Sequence, residues 1–246
     1  AELEVWTAAD PFPPVTAGEL VDEATALEEM RSAVADLTRD TSAAFHVGSG
    51  RAVTVLGAAG VDADLLVVGS RGRNPVTRLL LGSVSAACLH RAPCAVAVVR
   101  PGLEARPVHG KVLVGIDSSE SSRHALTVAA TEARVRGATL EVLHGVHWDH
   151  VAVELTAPTT RQLMAWGENL VREELARSGV EATTKVLNGN PPDVLVRHSA
   201  EADLLVLGSR GHGPLAKMAT GSTTDYCVRH AACPVLVVRP PEAGGA

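Results

Sequence analysis

Aromatic side chains are nearly missing from this sequence: three Trp, two Phe and one Tyr among 246 residues. A planar ligand would therefore rest on aliphatic side chains and backbone, with few rings to stack on. No run of about 18 apolar residues occurs, so no membrane-spanning helix is expected. A basic excess is lacking as well. The net charge is −6, with 9 basic against 13 acidic side chains in residues 1–106 and 13 against 15 in the remainder. Neither part has the cationic surplus that draws a chain to nucleic acid or anionic lipid. Cysteine is limited to Cys88, Cys94, Cys227 and Cys233. Their spacing of six fits no zinc pattern, and they read as small buried thiols of a reducing compartment. The first basic residue is Arg31, which argues against a signal peptide at this N-terminus; a cytoplasmic location is expected.

What is present is a repeat. Residues 63–101 and 202–240 align without a gap at an offset of 139, with 20 of 39 positions identical. Each copy has an apolar run, Asp64-Leu65-Leu66-Val67-Val68 or Asp203-Leu204-Leu205-Val206-Leu207, leading into Gly-Ser-Arg-Gly. Nine residues separate Gly72 from Gly82, and nine separate Gly211 from Gly221. The period is too long for a solenoid unit and indicates a duplicated domain. The expected limits are 1–102 and 110–240, with a linker at 103–109 and a tail at 241–246.

The second copy reads as alternating strands and helices. Lys111–Asp117 is a buried strand, followed by a helix from the serines at 118–122 to Arg136, stopped by Gly137. A strand at 139–146, a helix at 159–177, a strand at 180–187 and a short helix after Asn190-Pro191-Pro192-Asp193 follow. Strand 203–208, the glycine loop, a helix from Ser222 to His230 and strand 234–238 complete it. This order argues for a parallel sheet with helices on both faces, in strand order 2-1-3-4-5 or 3-2-1-4-5. The first copy matches from its second strand onward: strand 3–6, helix 19–40, strand 42–47, helix 51–59. The counterpart of Lys111–Gly137 is absent. Two interior strand edges should then lie unpaired, and some 35–45 further residues, about a strand plus a helix, are expected ahead of residue 1. The apolar closing strands, Val96–Val99 and Val235–Val238, are candidates to pair edge to edge, within the chain or in a homodimer.

A buried strand opening into a glycine loop and then a helix aims backbone amides, a serine hydroxyl and a helix N-terminus at one point, which is a seat for phosphate. Ser83 and Ser222 are expected to cap their helices, and Arg71 and Arg210 stand in the loops. No Gly-Lys-[Ser/Thr] follows, so this is not a Walker A loop. Asp64 and Asp203 read as structural, Asp117 as either a ligand residue or a cap, and Trp148 and Trp166 as packing residues. His144, His147 and His150 span a strand end and a loop, which is poor geometry for a metal, and no catalytic serine has a base or elbow.

Gly-x2-Gly-x9-Gly-[Ser/Thr] after Asp-Leu-Leu-Val, the segment Val-Gly-Ile-Asp-Ser-Ser and the Cys-Pro-Val-Leu-Val-Val close resemble the universal stress protein family, and two copies resemble its tandem class. The resemblance implies two flavodoxin-like (adenine nucleotide α-hydrolase-like) α/β domains, each with a five-stranded parallel sheet, the first lacking its first strand and helix. It implies ATP as ligand, with Mg2+ a candidate companion, and no evident catalytic device. Gly115, Ile116 and Asp117 would sit beside the adenosine, Gly145 would face the adenine, and Leu207 and Gly208 would line the nucleoside. Gly211, Gly221, Ser222 and Thr223 would hold phosphates. The matching positions in the first copy are Ala8, Val68, Gly69, Gly72, Gly82, Ser83 and Val84. There Asp117 has no counterpart, and Val84 replaces the hydroxyl of Thr223. The expected function is a stress-response regulator acting through ligand-linked conformation or association. A slow ATPase and a nucleotide-free dimerising module are the competitors.

Overall fold

The computed structural model describes residues 2–9, 23–36, 38–39, 41–70, 81–103, 106–147, 159–211 and 220–240. Along them run β1 (Leu3–Ala9), α1 (Glu23–Val34), β2 (Ala43–Ser49), α2 (Ala52–Ala59), β3 (Leu65–Gly69), α3 (Ser83–Arg91), β4 (Ala95–Val99), β5 (Lys111–Gly115), α4 (Glu120–Arg136), β6 (Thr139–Val146), α5 (Thr160–Ser178), β7 (Thr183–Asn188), α6 (Pro191–His198), β8 (Leu204–Gly208), α7 (Ser222–His230) and β9 (Val235–Val238), with a 3₁₀ turn at Ser199–Glu201.

The second copy forms a parallel sheet in the order β7-β6-β5-β8-β9. Numbered within the copy this is 3-2-1-4-5, one of the two expected orders. Its central strands are covered on both sides, which is why their sequences are continuously apolar rather than alternating. Val112, Leu113, Val114, Leu205 and Val206 are all fully buried. Leu113, Leu205 and Leu207 pack with Val194, Leu195 and Val228 of α6 and α7. Val112, Val114 and Val206 pack on the opposite face with Ala125, Leu126 and Ala129 of α4. The helices stop as the glycines predict: Gly137 and Gly179 close α4 and α5 in the left-handed region, at φ 61° and 65°. Thr159 begins α5 with a reciprocal capping box to Gln162. Trp166, expected to pack, is instead 56% exposed on α5; its apolar neighbours on the helix reach the sheet without it. Trp148 lies outside the described residues.

The sheet continues past β9. β4 pairs antiparallel with β9 through Val96↔Val237, Ala97↔Leu236 and Val98↔Val235, and β3 pairs parallel with β4. Of the two pairings open to the closing strands, the intrachain one is seen, and it occupies the outer edge of each. Two arginines reinforce the seam reciprocally. Arg100 donates from Nη1 to the Ala231 carbonyl at 2.8 Å, and Arg239 donates from Nη2 to the Leu89 carbonyl.

β1 and β2 form a separate parallel pair. Among the described residues no strand stands between β1 and β3, the place that β5 fills between β6 and β8. The consequence shows in exposure. Leu65 and Val67 of β3 are 44% and 58% exposed, whereas their repeat partners Leu204 and Val206, under α4, are at 6% and 0%.

Asp203 has the structural role expected of it. Its carboxylate accepts the amides of His109 at 2.7 Å and Lys111 at 3.0 Å, fixing the start of β5 beside β8. Burial pushes this carboxyl up, but the amides of His109, Lys111 and Gly110 outweigh it and hold it below its ordinary value. A carboxyl depressed in the folded state stabilises fully above its unfolded value and loses that contribution as pH falls through the folded one. Urea melts should therefore show Asp203→Asn less stable than wild type at pH 6, with the gap closing below pH ~3.9.

The thiols are as buried as the sequence suggested. Cys88, Cys227 and Cys233 are buried and Cys94 is half-buried. Burial pushes the Cys227 and Cys233 thiols up to about 12. Since the thiolate is the reactive form, an aromatic disulfide reagent at pH 8 should modify Cys94 first in native protein. Cys227 and Cys233 should react only after denaturant is added.

Candidate functional site

The second copy's strand order reverses between β5 and β8, and a cleft of about 250 Å³ opens there at the carboxyl ends of β5, β6 and β8. Open α/β sheets bind ligands at such a switch point. Every site residue expected in the second copy lines this cleft: Gly115, Ile116, Asp117, Gly145, Leu207, Gly208, Arg210, Gly211, Gly221, Ser222 and Thr223.

The loop after β8 is drawn closed at its base. Ser209 donates its amide to the Val238 carbonyl at 2.8 Å, and the Ser209 carbonyl accepts the Gly221 amide at 2.8 Å. Thr224, one turn into α7, donates its hydroxyl to the Gly208 carbonyl at 2.8 Å. The chain thus leaves β8 and returns to α7 at one point. The first copy repeats each bond: Ser70 amide to Val99, Gly82 amide to Ser70 and Ser85 hydroxyl to Gly69. The glycines are there because neighbours come close. A Cβ on Gly208 would lie 2.6–2.8 Å from Ser121 of α4, and one on Gly145 would lie 2.8 Å from the Pro191 Cα. A Cβ on Gly211 would collide with the Asp117 carboxylate, whereas one on Gly221 would meet nothing nearer than 3.7 Å.

The serine expectation needs correction. Ser83 and Ser222 do not cap their helices. Gly82 and Gly221 are the N-cap residues, with extended φ/ψ of −62°/151° and −70°/153°, and the serines are already the first helical residues. No side chain caps either helix. In α7 the first intrahelical bond runs from the Asp225 amide to the Gly221 carbonyl. The amides of Ser222, Thr223 and Thr224 precede it, on residues that line the cleft. A helix end in this state carries partial positive charge.

Across the cleft, Asp117 does not cap α4 either. Ser119 does so by accepting the Ser122 amide at 3.1 Å. Asp117 turns back to accept the Ser119 amide at 3.0 Å, while Ser118 takes φ 64°. Ser119 and Ser121 then bond the Arg210 carbonyl and amide at 3.3 and 3.4 Å, joining the loop after β5 to the loop after β8. The apolar wall comes from Ile116, Leu143, Leu195 and Leu207. Ser122, Leu143, His144, Pro191, Leu195 and Thr224 also line the cleft and were not among the expected site residues. Only Thr224 left a signal, since Ser85 holds its place in the other copy. His144 donates from Nδ1 to the Ile116 carbonyl at 2.8 Å, linking β6 to the turn after β5. Among the described residues no three His, Cys, Asp or Glu gather as metal ligands.

In the first copy, Val68, Gly69, Gly82, Ser83 and Val84 take the same loop and helix positions. Ala8 is on β1, in the other sheet, and is not joined to them. Arg71 and Gly72 lie outside the described residues, as does His150.

The sequence model of the universal stress protein family matches residues 1–100 and again 109–239. A universal stress protein of Mycobacterium tuberculosis is 36% identical over 186 residues, covering 72% of this chain and 62% of that protein. One of Mycolicibacterium smegmatis is 33% identical over 226 residues, covering 87% of this chain and 76% of that one. This chain thus spans under two thirds of the first relative's length. A crystal structure of a Pseudomonas aeruginosa protein described as a universal stress protein superposes over 98% of this chain and 84% of its own at a TM-score of 0.69, with 18% identity, which speaks for the fold. With two family matches that together span nearly all of it, on two copies of one α/β unit, the chain belongs to the universal stress protein family.

Proposed function

We propose that the cleft of the second copy binds ATP, alone or with Mg2+, and that the bound nucleotide regulates conformation or association in a cytoplasmic stress response. The observation that carries this is the uncapped N-terminus of α7 opening into a cleft at the strand-order switch. The amides of Gly211, Ser222 and Thr223, with the hydroxyls of Ser222 and Thr223, would hold the phosphates. Arg210 adds positive charge in an otherwise acidic protein. Gly115, Ile116 and Asp117 would hold the ribose side, Gly145 would approach the adenine edge, and Leu207 and Gly208 would line the nucleoside face. Aliphatic contacts suit a chain so poor in rings. The first copy would use Val68, Gly69, Gly82, Ser83 and Val84, with Arg71 and Gly72 in its loop. The limits 1–102 and 110–240 for the two domains, with 103–109 between them, are proposed on the same basis.

Asp117 accepts the Ser119 amide on one carboxylate oxygen and His144 uses Nδ1 toward the Ile116 carbonyl. Those bonds leave the second carboxylate oxygen and Nε2 able to accept a proton, so a slow ATPase is the competing reading, separated from binding alone by an assay of ATP turnover. Mass analysis of small molecules released from denatured protein, followed by calorimetric titration with ATP, tests the proposal. Released adenine nucleotide and saturable ATP binding are expected. Protein that neither carries nor takes up an adenine nucleotide would refute it.

A further inference from the structure

Helix α7 is held at both ends by the other half of the chain. At its C-terminus, the Ala231 carbonyl accepts Arg100 Nη1 at 2.8 Å. At its N-terminus, Thr220 directly precedes the N-cap Gly221. Thr220 is only 6% exposed, and its hydroxyl bonds Nδ1 of His90, on the last turn of α3, at 2.9 Å. That same turn of α3 receives Arg239 on the Leu89 carbonyl. The donors Arg100 and Arg239 are related by the repeat, and each reaches across to the end of the other half's helix, Ala231 after α7 and Leu89 in α3. The Thr220–His90 bond has no such counterpart. At the positions related by the repeat stand Leu81 and Arg229. Leu81 packs against the apolar core, and Arg229 is held within α7 by Asp225 at 2.9 and 3.0 Å.

We propose that His90 and Arg100, from the first half, are positioning residues for the phosphate seat of the second half. They fix where α7 begins and ends relative to the 208–211 loop. His90 touches no ligand and acts through Thr220, the residue at which the glycine loop ends and the helix begins. A loop end secured by a hydrogen bond from a buried threonine to an exposed histidine keeps the first-turn amides convergent before any anion arrives, and preorganisation of this kind lowers the cost of binding. The tether is one-sided, so the second seat depends on the first half more than the first depends on the second. The inference rests on the ATP reading given above.

The test uses the whole chain, titrated calorimetrically with ATP and with adenosine. His90→Ala and Thr220→Val should each weaken ATP about three- to tenfold, the size of one hydrogen bond. The double variant should be no weaker than the worse single one, since both remove the same bond. Adenosine, which carries no phosphate, should bind within about twofold of wild type in all of them. His90→Asn, which keeps a polar group near the Nδ1 position, should recover most of the ATP affinity. Unchanged ATP affinity in His90→Ala would overturn the inference, as would equal losses for ATP and adenosine, which would mark a merely structural role. Wild-type protein that binds neither ligand would overturn the ATP reading itself, and this inference with it. Wild-type protein that binds ATP beside an unaffected His90→Ala variant would remove this inference alone.

Discussion

Gly221→Asp should abolish ATP binding and at the same time make the ligand-free protein more stable. Both effects follow from one position. Gly221 is the N-cap of α7, its backbone at φ −70°, ψ 153° suits any residue, and a Cβ there has ordinary clearance, 3.7 Å from Arg210, Gly211 and Ser209. Aspartate is among the best N-cap residues, because its carboxylate accepts the second or third amide of the helix and complements the dipole. The gain should be about 0.5–1 kcal/mol, or roughly 1–4 °C in melting temperature for a chain of this size. The same carboxylate would occupy the amides proposed for phosphate and repel the polyphosphate, so ATP affinity should drop at least about 100-fold, near 2.7 kcal/mol. Thermal melts and calorimetry read the two effects separately. If affinity survives within about threefold, the phosphates lie elsewhere.

Gly208→Ala should do the reverse, damaging the fold first. The added Cβ would stand 2.6 Å from the Ser121 hydroxyl, 2.7 Å from its carbonyl carbon and 2.8 Å from its carbonyl oxygen. Two of those atoms are backbone in the first turn of α4, so no rotamer change relieves the overlap. Strand β8 and helix α4 would have to part, in the region where Val206 packs on Ala125 and Ala129. The expected loss is about 3 kcal/mol, visible as a melting temperature lower by roughly 6–12 °C. A variant melting within about 2 °C of wild type would mean that β8 and α4 are not in the contact described.

These two glycines sit in one motif, yet the sequence shows them only as a pattern. It was legible that β8 is buried, because Leu204–Gly208 is apolar without alternation. It was legible that both loops are alike, because nine residues separate the glycines in each copy. The stops at Gly137 and Gly179 could be read from glycine after a helical run, and the shared cleft of Gly115–Asp117 with Gly208–Gly221 was implied by the resemblance to the universal stress protein family. What distinguishes Gly208 from Gly221 is the distance to Ser121, a contact between segments 87 residues apart that no local pattern encodes. For the same reason the loop's base bonds from Ser209, the His144 bond to Ile116 and the Thr220–His90 bond were invisible. The capping of α7 was misassigned because serine is a common N-cap, whereas here the extended residue is the glycine before it. Trp166 was misassigned because an apolar ring on an amphipathic helix was taken to face inward. The open edges of β1 and β3 were foreseen, since no segment of the first copy matches β5 and α4; the exposed face of β3 was not.

The central claim is that the first turn of α7 and the loop after β8 hold a triphosphate through main-chain amides. Amide-resolved NMR of nitrogen-labelled protein titrated with ATP tests it most directly. The largest shifts should fall on Gly211, Gly221, Ser222, Thr223 and Thr224, should be reproduced in part by inorganic triphosphate, and should be missing from that turn with adenosine alone. ATP that leaves these five amides unmoved, or moves them no more than adenosine does, would contradict the claim.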